Sequence, residues 1–243
     1  MTPSPTISDP SVSLAAYRAV RERTTEVLGG IDDGAAASTA VPGCPGWTVT
    51  ELAAHMCGVC VDILEGHLDG VGTAPWADAQ AERFAPLGLA GVLDHWNEVA
   101  PQVEALAPAF PPQPATQLVF DATTHEHDAR GAVSAPGARD ADSLAVPLEF
   151  LGRLLDAQVR KASLPALALR TPDGWIALAG EGPPAIEVRA SAFELFRSFG
   201  GRRAIDQIRA LDWSGDPEPY LAVAFTDTPL RPPDRPLVED PIE

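Results

Sequence analysis

The segment Phe120-Asp-Ala-Thr-Thr-His125-Glu-His-Asp-Ala-Arg-Gly131 decides how this chain is read. It gathers Asp121, His125, Glu126, His127 and Asp128 into a stretch with no proline, and no glycine before Gly131. Wound as a helix at ~100° per residue, Asp121 and His125 stand one turn apart on one face, as i and i+4. A carboxylate and an imidazole in that relation can hold one metal ion from one helix. His127 lies ~200° round from His125 and cannot share that ion while the helix stays intact. The plainer reading of the same five residues is a solvated, charged helix face.

The remaining chain bears on that choice. A length of 243 residues suggests one large or two ordinary domains, and 45% hydrophobic residues suffice for a real core. The net charge of −17 argues against DNA or RNA as a partner, because phosphate calls for clustered Lys and Arg; the single lysine is Lys161. The start, MTPSPTISDP, has neither a basic region nor an apolar one, so no signal peptide is expected. No apolar run approaches the ~18 residues of a membrane span. Three cysteines (Cys44, Cys57, Cys60) fit a reduced cytoplasm better than a disulfide framework.

In chain order, residues 1–10 read as a loose arm. Apolar residues at helical spacing predict a helix over 11–28, stopped by Gly29-Gly30. A linker over 31–46 closes in Val41-Pro-Gly-Cys44-Pro-Gly46. Thr48 and Glu51 then form a capping box, with Trp47 placed to staple onto Leu52, and the helix they open runs to about Leu68. It carries His55, with Val59 and Asp62 on the same face. Residues 70–86, including Trp76, read as a long loop. A third helix is predicted over 87–106, and a fourth over 115–133 after the prolines at 108, 111, 112 and 114. Four helices with modest connections suggest an up-and-down bundle, an architecture that places metal sites between facing helices. All five histidines (55, 67, 95, 125, 127) belong to this part.

The segment 134–142 reads as a domain boundary, placed between residues 138 and 139. A helix follows over 146–161, with Pro147 tolerated in its first turn. The period then changes to three short strands at 167–170, 175–178 and 185–188, separated by Pro-Asp-Gly and Glu-Gly-Pro-Pro turns. Helices are expected over 191–199, ended by Gly200-Gly201, over 203–211 and over 217–225, with an irregular tail from Pro229. The second domain is therefore small and α+β, and the fold class is a helical bundle followed by an α+β unit.

Two helices now offer ligand-type residues. His55, Asp121 and His125 would give two imidazoles and a carboxylate, leaving a fourth position open, as in catalytic and not structural zinc sites. An ion there would lower the pKa of a bound water or of a thiol supplied by a small molecule. Cys57-x-x-Cys60 offers a redox or metal pair, but with no second such pair and no βαβ context it reads as two small core residues. Arg202, after a helix and a Gly-Gly break, can cap helix carbonyls or bind a substrate carboxylate bidentately.

Three segments then point to a family. VPGCPGWTVTELAAH resembles a Pro-Gly-Trp-(Ser/Thr) stretch leading to a histidine; FDATTHEHDARGA resembles an acid-x-x-x-His-x-x-Asp helix; ASAFELFRSFGGR resembles a C-terminal helix ending in Gly-Arg. In this order they are similar to the mycothiol-dependent maleylpyruvate isomerase family, a branch of the DinB-like metalloenzymes. The resemblance implies a DinB-like four-helix bundle with a small α+β C-terminal domain. It implies a divalent metal, usually zinc, on His55, Asp121 and His125, mycothiol (an actinobacterial thiol) as co-substrate, and Arg202 as a substrate-binding catalytic residue. Asp128 would orient the ligand helix. One departure is Asp121 where the family pattern has the longer Glu, and another is His127 in place of an aromatic or apolar residue. The expected activity is addition of a metal-activated thiolate to an electrophilic small molecule, ending in cis–trans isomerisation or in thiol transfer. The rival readings are a metal-stabilised binding or regulatory protein, and a hydrolase that uses zinc-bound water.

Overall fold

Capping and proline placement set where the helices begin and end. The computed structural model describes residues 9–140, 142–174 and 176–237. Most of the expected N-terminal arm, the first residue of the 175–178 strand and the last residues of the tail lie outside them. The chain divides into two compact units, one spanning Pro10–Gly137 and the other beginning at Ala138.

The first unit contains α1 (Pro10–Leu28), the single turn α2 (Asp33–Ala36), α3 (Val49–Glu65), α4 (Ala74–Phe84), α5 (Gly88–Glu104) and α6 (Pro112–Ala132). The long helices α1, α3, α5 and α6 form the bundle: α1 packs chiefly on α6, and α3 on α5 and α4. The capping box at α3 is formed on both sides. The Thr48 amide donates to Glu51 Oε2 at 2.7 Å, and Thr48 Oγ1 accepts from the Glu51 amide. The helix ends at Glu65, three residues before the expected stop at Leu68, because Gly66 takes the left-handed cap (φ 76°) at no cost. Helix α6 begins at Pro112, three residues earlier than expected, since a proline in the first turn forfeits no intrahelical hydrogen bond.

The expected long loop over 70–86 is a correction: residues Ala74–Phe84 are helix α4. Its inner side is narrow, with only Gln80 and Ala81 buried, so the apolar stripe that marks α1 or α5 is nearly absent. It docks closely on α3 at Gly58, where an added Cβ would stand 2.6 Å from Gln80 Cβ.

Two polar clusters fix the bundle's interior. Trp96 Nε1 donates to the Tyr17 hydroxyl at 2.8 Å, and that hydroxyl lies 2.8 Å from Cys60 Sγ. Cys57 and Cys60 are fully buried, and burial is the main cause that pushes both thiols up to about 12. They are core residues without nucleophilic character at neutral pH. Glu126, with no exposure, accepts two hydrogen bonds from Arg23 of α1 at 2.9 and 2.7 Å and one from Arg130 at 3.0 Å. This fork fixes the rotation of α6 against α1, and with it the direction of the neighbouring His125.

The second unit pairs α7 (Ala145–Lys161) with a four-stranded sheet of order β2-β1-β3-β4. Strands β1 (Leu167–Arg170) and β2 (Ile176–Ala179) form an antiparallel hairpin, and β3 (Ile186–Arg189) runs parallel to β1 with Leu169 opposite Val188. The two-residue β4 (Asp212–Trp213), unforeseen in the sequence, pairs antiparallel to β3. Helix α7 lies against β2, where Gly152 would bring a Cβ to 3.2 Å from Ala177 Cβ. Helices α8 (Ala192–Arg197), α9 (Ile205–Arg209) and α10 (Glu218–Ala224) complete the unit. A π-helical turn over Ser198–Arg202 follows α8, with Gly201 at φ 76°. No helix among the described residues is long and apolar enough to cross a membrane.

Removing Arg23 leaves the Glu126 carboxylate short of its main partner inside the protein. The Arg23→Ala variant is expected to lose about 3 kcal/mol of stability in urea unfolding, and the double variant with Glu126→Gln to recover part of that loss. Equal stability of Arg23→Ala and the native chain would show that the fork does not hold α6.

Candidate metal centre

The sequence-predicted ligands His55, Asp121 and His125 come together between α3 and α6. His55 Nε2 lies 3.5 Å from Asp121 Oδ2, and His125 Nε2 lies 3.6 Å from Asp121 Oδ1. The two imidazole rings meet edge to face, centroids 5.0 Å apart. One donor atom from each residue lies within 4.8 Å of the others. Two atoms that each bind zinc at ~2.1 Å with a tetrahedral angle are about 3.4 Å apart, so the carboxylate-to-imidazole spacings are close to those of a shared ion. Asp121 spans both rings with its two oxygens, despite being shorter than glutamate. Its side chain is about a third exposed, while both histidines are buried.

The hydrogen bonds behind the rings determine which nitrogen faces inward. Asp62 can only accept, so the Gln80 amide group donates to Asp62 Oδ2 (2.6 Å) and presents its carbonyl to His55 Nδ1 at 2.7 Å. His55 therefore carries its proton on Nδ1 and turns a lone pair on Nε2 toward Asp121. Arg83 Nη2, 2.5 Å from Asp62 Oδ1, closes this chain. On the other side, His125 Nδ1 lies 3.2 Å from Asp128 Oδ2, which orients the ring in the same manner. The residues thus fit a divalent ion by chemistry as well as spacing: two inward-facing ring nitrogens and a carboxylate.

Electrostatics agree with the geometry. Burial opposes ionisation of Asp121, but the His55 and His125 imidazoles outweigh it and hold the carboxyl far below its usual range. Burial likewise opposes charge on His125, but Cys44, Asp121 and Asp128 together raise its imidazole well above the ordinary histidine value.

Two tryptophans border the cluster. The Trp47 ring tilts over His55 at 5.1 Å and over His125 at 6.2 Å, and its Nε1 donates to Asp78 on α4 at 3.0 Å. Trp76 meets His55 edge-on at 6.2 Å. Sequence reasoning missed Gln80, Trp76 and Cys44 as parts of this region. Gln80 and Trp76 sit in the stretch taken for a loop, and the thiol of Cys44, in the tight Val41–Gly46 run, lies 3.6 Å from His125 Nδ1. The only signal for Cys44 was a cysteine fixed between two Pro-Gly pairs ahead of the cap. His127 is buried on α6 and joins no ligand group among the described residues. Arg202 belongs to the other unit, at the end of the π-helical turn.

Residues 17–140 match the family model described as the mycothiol maleylpyruvate isomerase N-terminal domain, just over half of the sequence. The chain belongs to this family. Two crystal structures share its fold. One is the mycothiol-dependent maleylpyruvate isomerase, 13% identical with a TM-score of 0.55 over 88% of this chain and 96% of that one. The other is a point mutant of the same isomerase, 14% identical over the same shares with the same TM-score. No curated protein matches the chain in sequence. The family membership agrees with the bundle, and the neighbours with the α+β unit after it.

Gln80→Ala is expected to weaken zinc binding roughly 10–100-fold while leaving the helical circular dichroism intact, because the His55 ring loses its fixed tautomer. Unchanged affinity in a chelator competition would show that Gln80 does not orient the ligand. The pH dependence follows from the raised His125 pKa: the ring keeps its proton to higher pH than a free imidazole, and the ion must displace that proton. Zinc affinity should therefore fall as pH drops, with the decline already under way above pH ~6.5. A decline confined to below pH ~5 would mean that no raised imidazole takes part.

Proposed function

We propose that this protein is a divalent-metal-dependent, mycothiol-utilising enzyme that joins a thiol to an electrophilic small molecule, as an isomerase or a thiol transferase. The observation that carries the reading is the inward-facing set of His55 Nε2, Asp121 and His125 Nε2, three donors where a tetrahedral ion takes four. Family membership supports mycothiol as the co-substrate. A zinc ion held by the three residues would supply the positive charge that keeps a thiol ionised at neutral pH.

The protein's own groups do the rest. Gln80 and Asp128 hold the two rings so that neither lone pair turns away. Trp47 and Trp76 provide apolar surface beside His55 that displaces water from the reacting sulfur. Thiol addition to an electrophilic double bond leaves a single bond that rotates; elimination then gives the trans product, and failure to eliminate gives the thiol adduct. Arg202 is the proposed binder of a substrate carboxylate, a role that rests on guanidinium chemistry and family likeness. Three cysteines outside any disulfide fit a cytoplasmic setting.

The deciding experiment is titration of the cobalt-substituted protein with mycothiol. A new sulfur-to-cobalt charge-transfer band on adding the thiol supports the enzyme; no new band, with cobalt bound, favours a binding or regulatory role. Turnover of an ester or amide without thiol favours a hydrolase. In parallel, His125→Ala should lose the metal while His127→Ala keeps it. Equal loss in both would mean that the ligand face of α6 has been misassigned.

A further inference from the structure

His125 has two nitrogens, and the metal centre above uses only Nε2. Its Nδ1 faces a second set of donors. The loop over residues 41–47 closes on itself: the Val41 amide donates to the Trp47 carbonyl at 2.9 Å, the Cys44 amide to Val41 at 3.0 Å, and the Trp47 amide to Cys44 at 3.0 Å. This closure aims Cys44 Sγ at α6. The sulfur lies 3.6 Å from His125 Nδ1 and 3.4 Å from Asp128 Oδ2, and those two atoms are 3.2 Å apart. The three donors, a sulfur, a nitrogen and an oxygen, come from two separate segments of the chain.

With zinc-to-sulfur at ~2.3 Å and zinc-to-nitrogen or oxygen at ~2.1 Å, tetrahedral ligand atoms are about 3.4–3.6 Å apart. The observed triangle is close to one face of such a tetrahedron. His125 and Asp128 are buried and Cys44 is half-buried, so an ion reaches the triangle from the Cys44 side.

We propose that Cys44, His125 Nδ1 and Asp128 form a second, thiolate-bearing site for a soft divalent cation such as Cd2+, alternative to the His55/Asp121/His125 centre. The two sites compete because a neutral imidazole offers one lone pair. With the proton on Nδ1, shared with Asp128, Nε2 serves the first site. With the proton on Nε2, directed at Asp121 Oδ1, Nδ1 serves the second. Ion entry breaks the Cys44 S–H bond and the His125 Nδ1–H bond and releases both protons to solvent, while Nε2 carries the proton that remains on the ring. Ligand softness sorts the ions: thiolate favours the softer cation, and the two-imidazole, one-carboxylate set favours the harder one. A soft metal thus disables the first site by taking His125 from it. The inference shares His125 with the proposed enzyme but does not depend on thiol chemistry with any substrate.

The test is titration of the metal-free full-length protein with Cd2+, reading the sulfur-to-cadmium charge-transfer band in the ultraviolet. The native chain should show the band at one equivalent of Cd2+. Cys44→Ser should lose the band and bind Cd2+ roughly tenfold or more weakly. His55→Ala should keep the band, since His55 belongs to the first site alone. No band in the native chain overturns the proposal, as does a band that survives in Cys44→Ser, where Cys57 or Cys60 would be its source. Loss of the band in His55→Ala overturns it too. The outcome is separable from the enzyme reading: a mycothiol-induced band in cobalt-loaded Cys44→Ser upholds that reading whatever cadmium does.

Discussion

The structure depends on a contact that a bare protein would avoid: one carboxylate held between two imidazole edges, inside a helical bundle. Asp121 reaches His55 from one oxygen and His125 from the other. Grouping such donors away from water is costly unless a proton or an ion joins them. The surrounding bundle resists their separation. Glu126, locked to Arg23 and Arg130, stops α6 from turning its histidine outward. The Gln80 amide, backed by Asp62 and Arg83, stops the other ring from flipping. The cluster is therefore preset by groups outside it, the arrangement expected of a protein metal site.

Much of the bundle was legible because its signals are local. The Thr48–Glu51 box announces α3, and the Asp121/His125 spacing places both groups on one face of α6. What escaped was written in tertiary contacts. Helix α4 buries little and shows almost no periodic stripe, so its sequence resembles that of a connection. Its purpose emerges only where the bare backbone of Gly58 admits Gln80. Cys44 escaped for a similar reason, since its relation to His125 spans 81 positions and no spacing rule reaches that far. The cysteines that did draw notice, Cys57 and Cys60, are core residues, and Cys60 is tied to the Tyr17 hydroxyl.

In the second unit, turn chemistry located three strands to within a residue, whereas β4 was too short for an alternating pattern. The arginines there show the limit of reading charge from sequence. Arg202 stood out for its place after the Gly-Gly break. Its neighbour Arg203 is the one sealed inside, donating to both oxygens of Glu194 at 2.8 and 2.7 Å. Nothing in the two adjacent letters shows which guanidinium is sealed and which is half-buried.

The thin inner side of α4 has a consequence for how the protein breathes. With so little buried apolar surface, α4 is expected to open locally ahead of the long helices. When it lifts, the His55 ring loses its outer partner and is free to turn. An ion that favours the docked ring must by the same thermodynamic link favour the docked helix. Loading the proposed centre should thus slow hydrogen exchange along α4, a segment that supplies none of its proposed ligands.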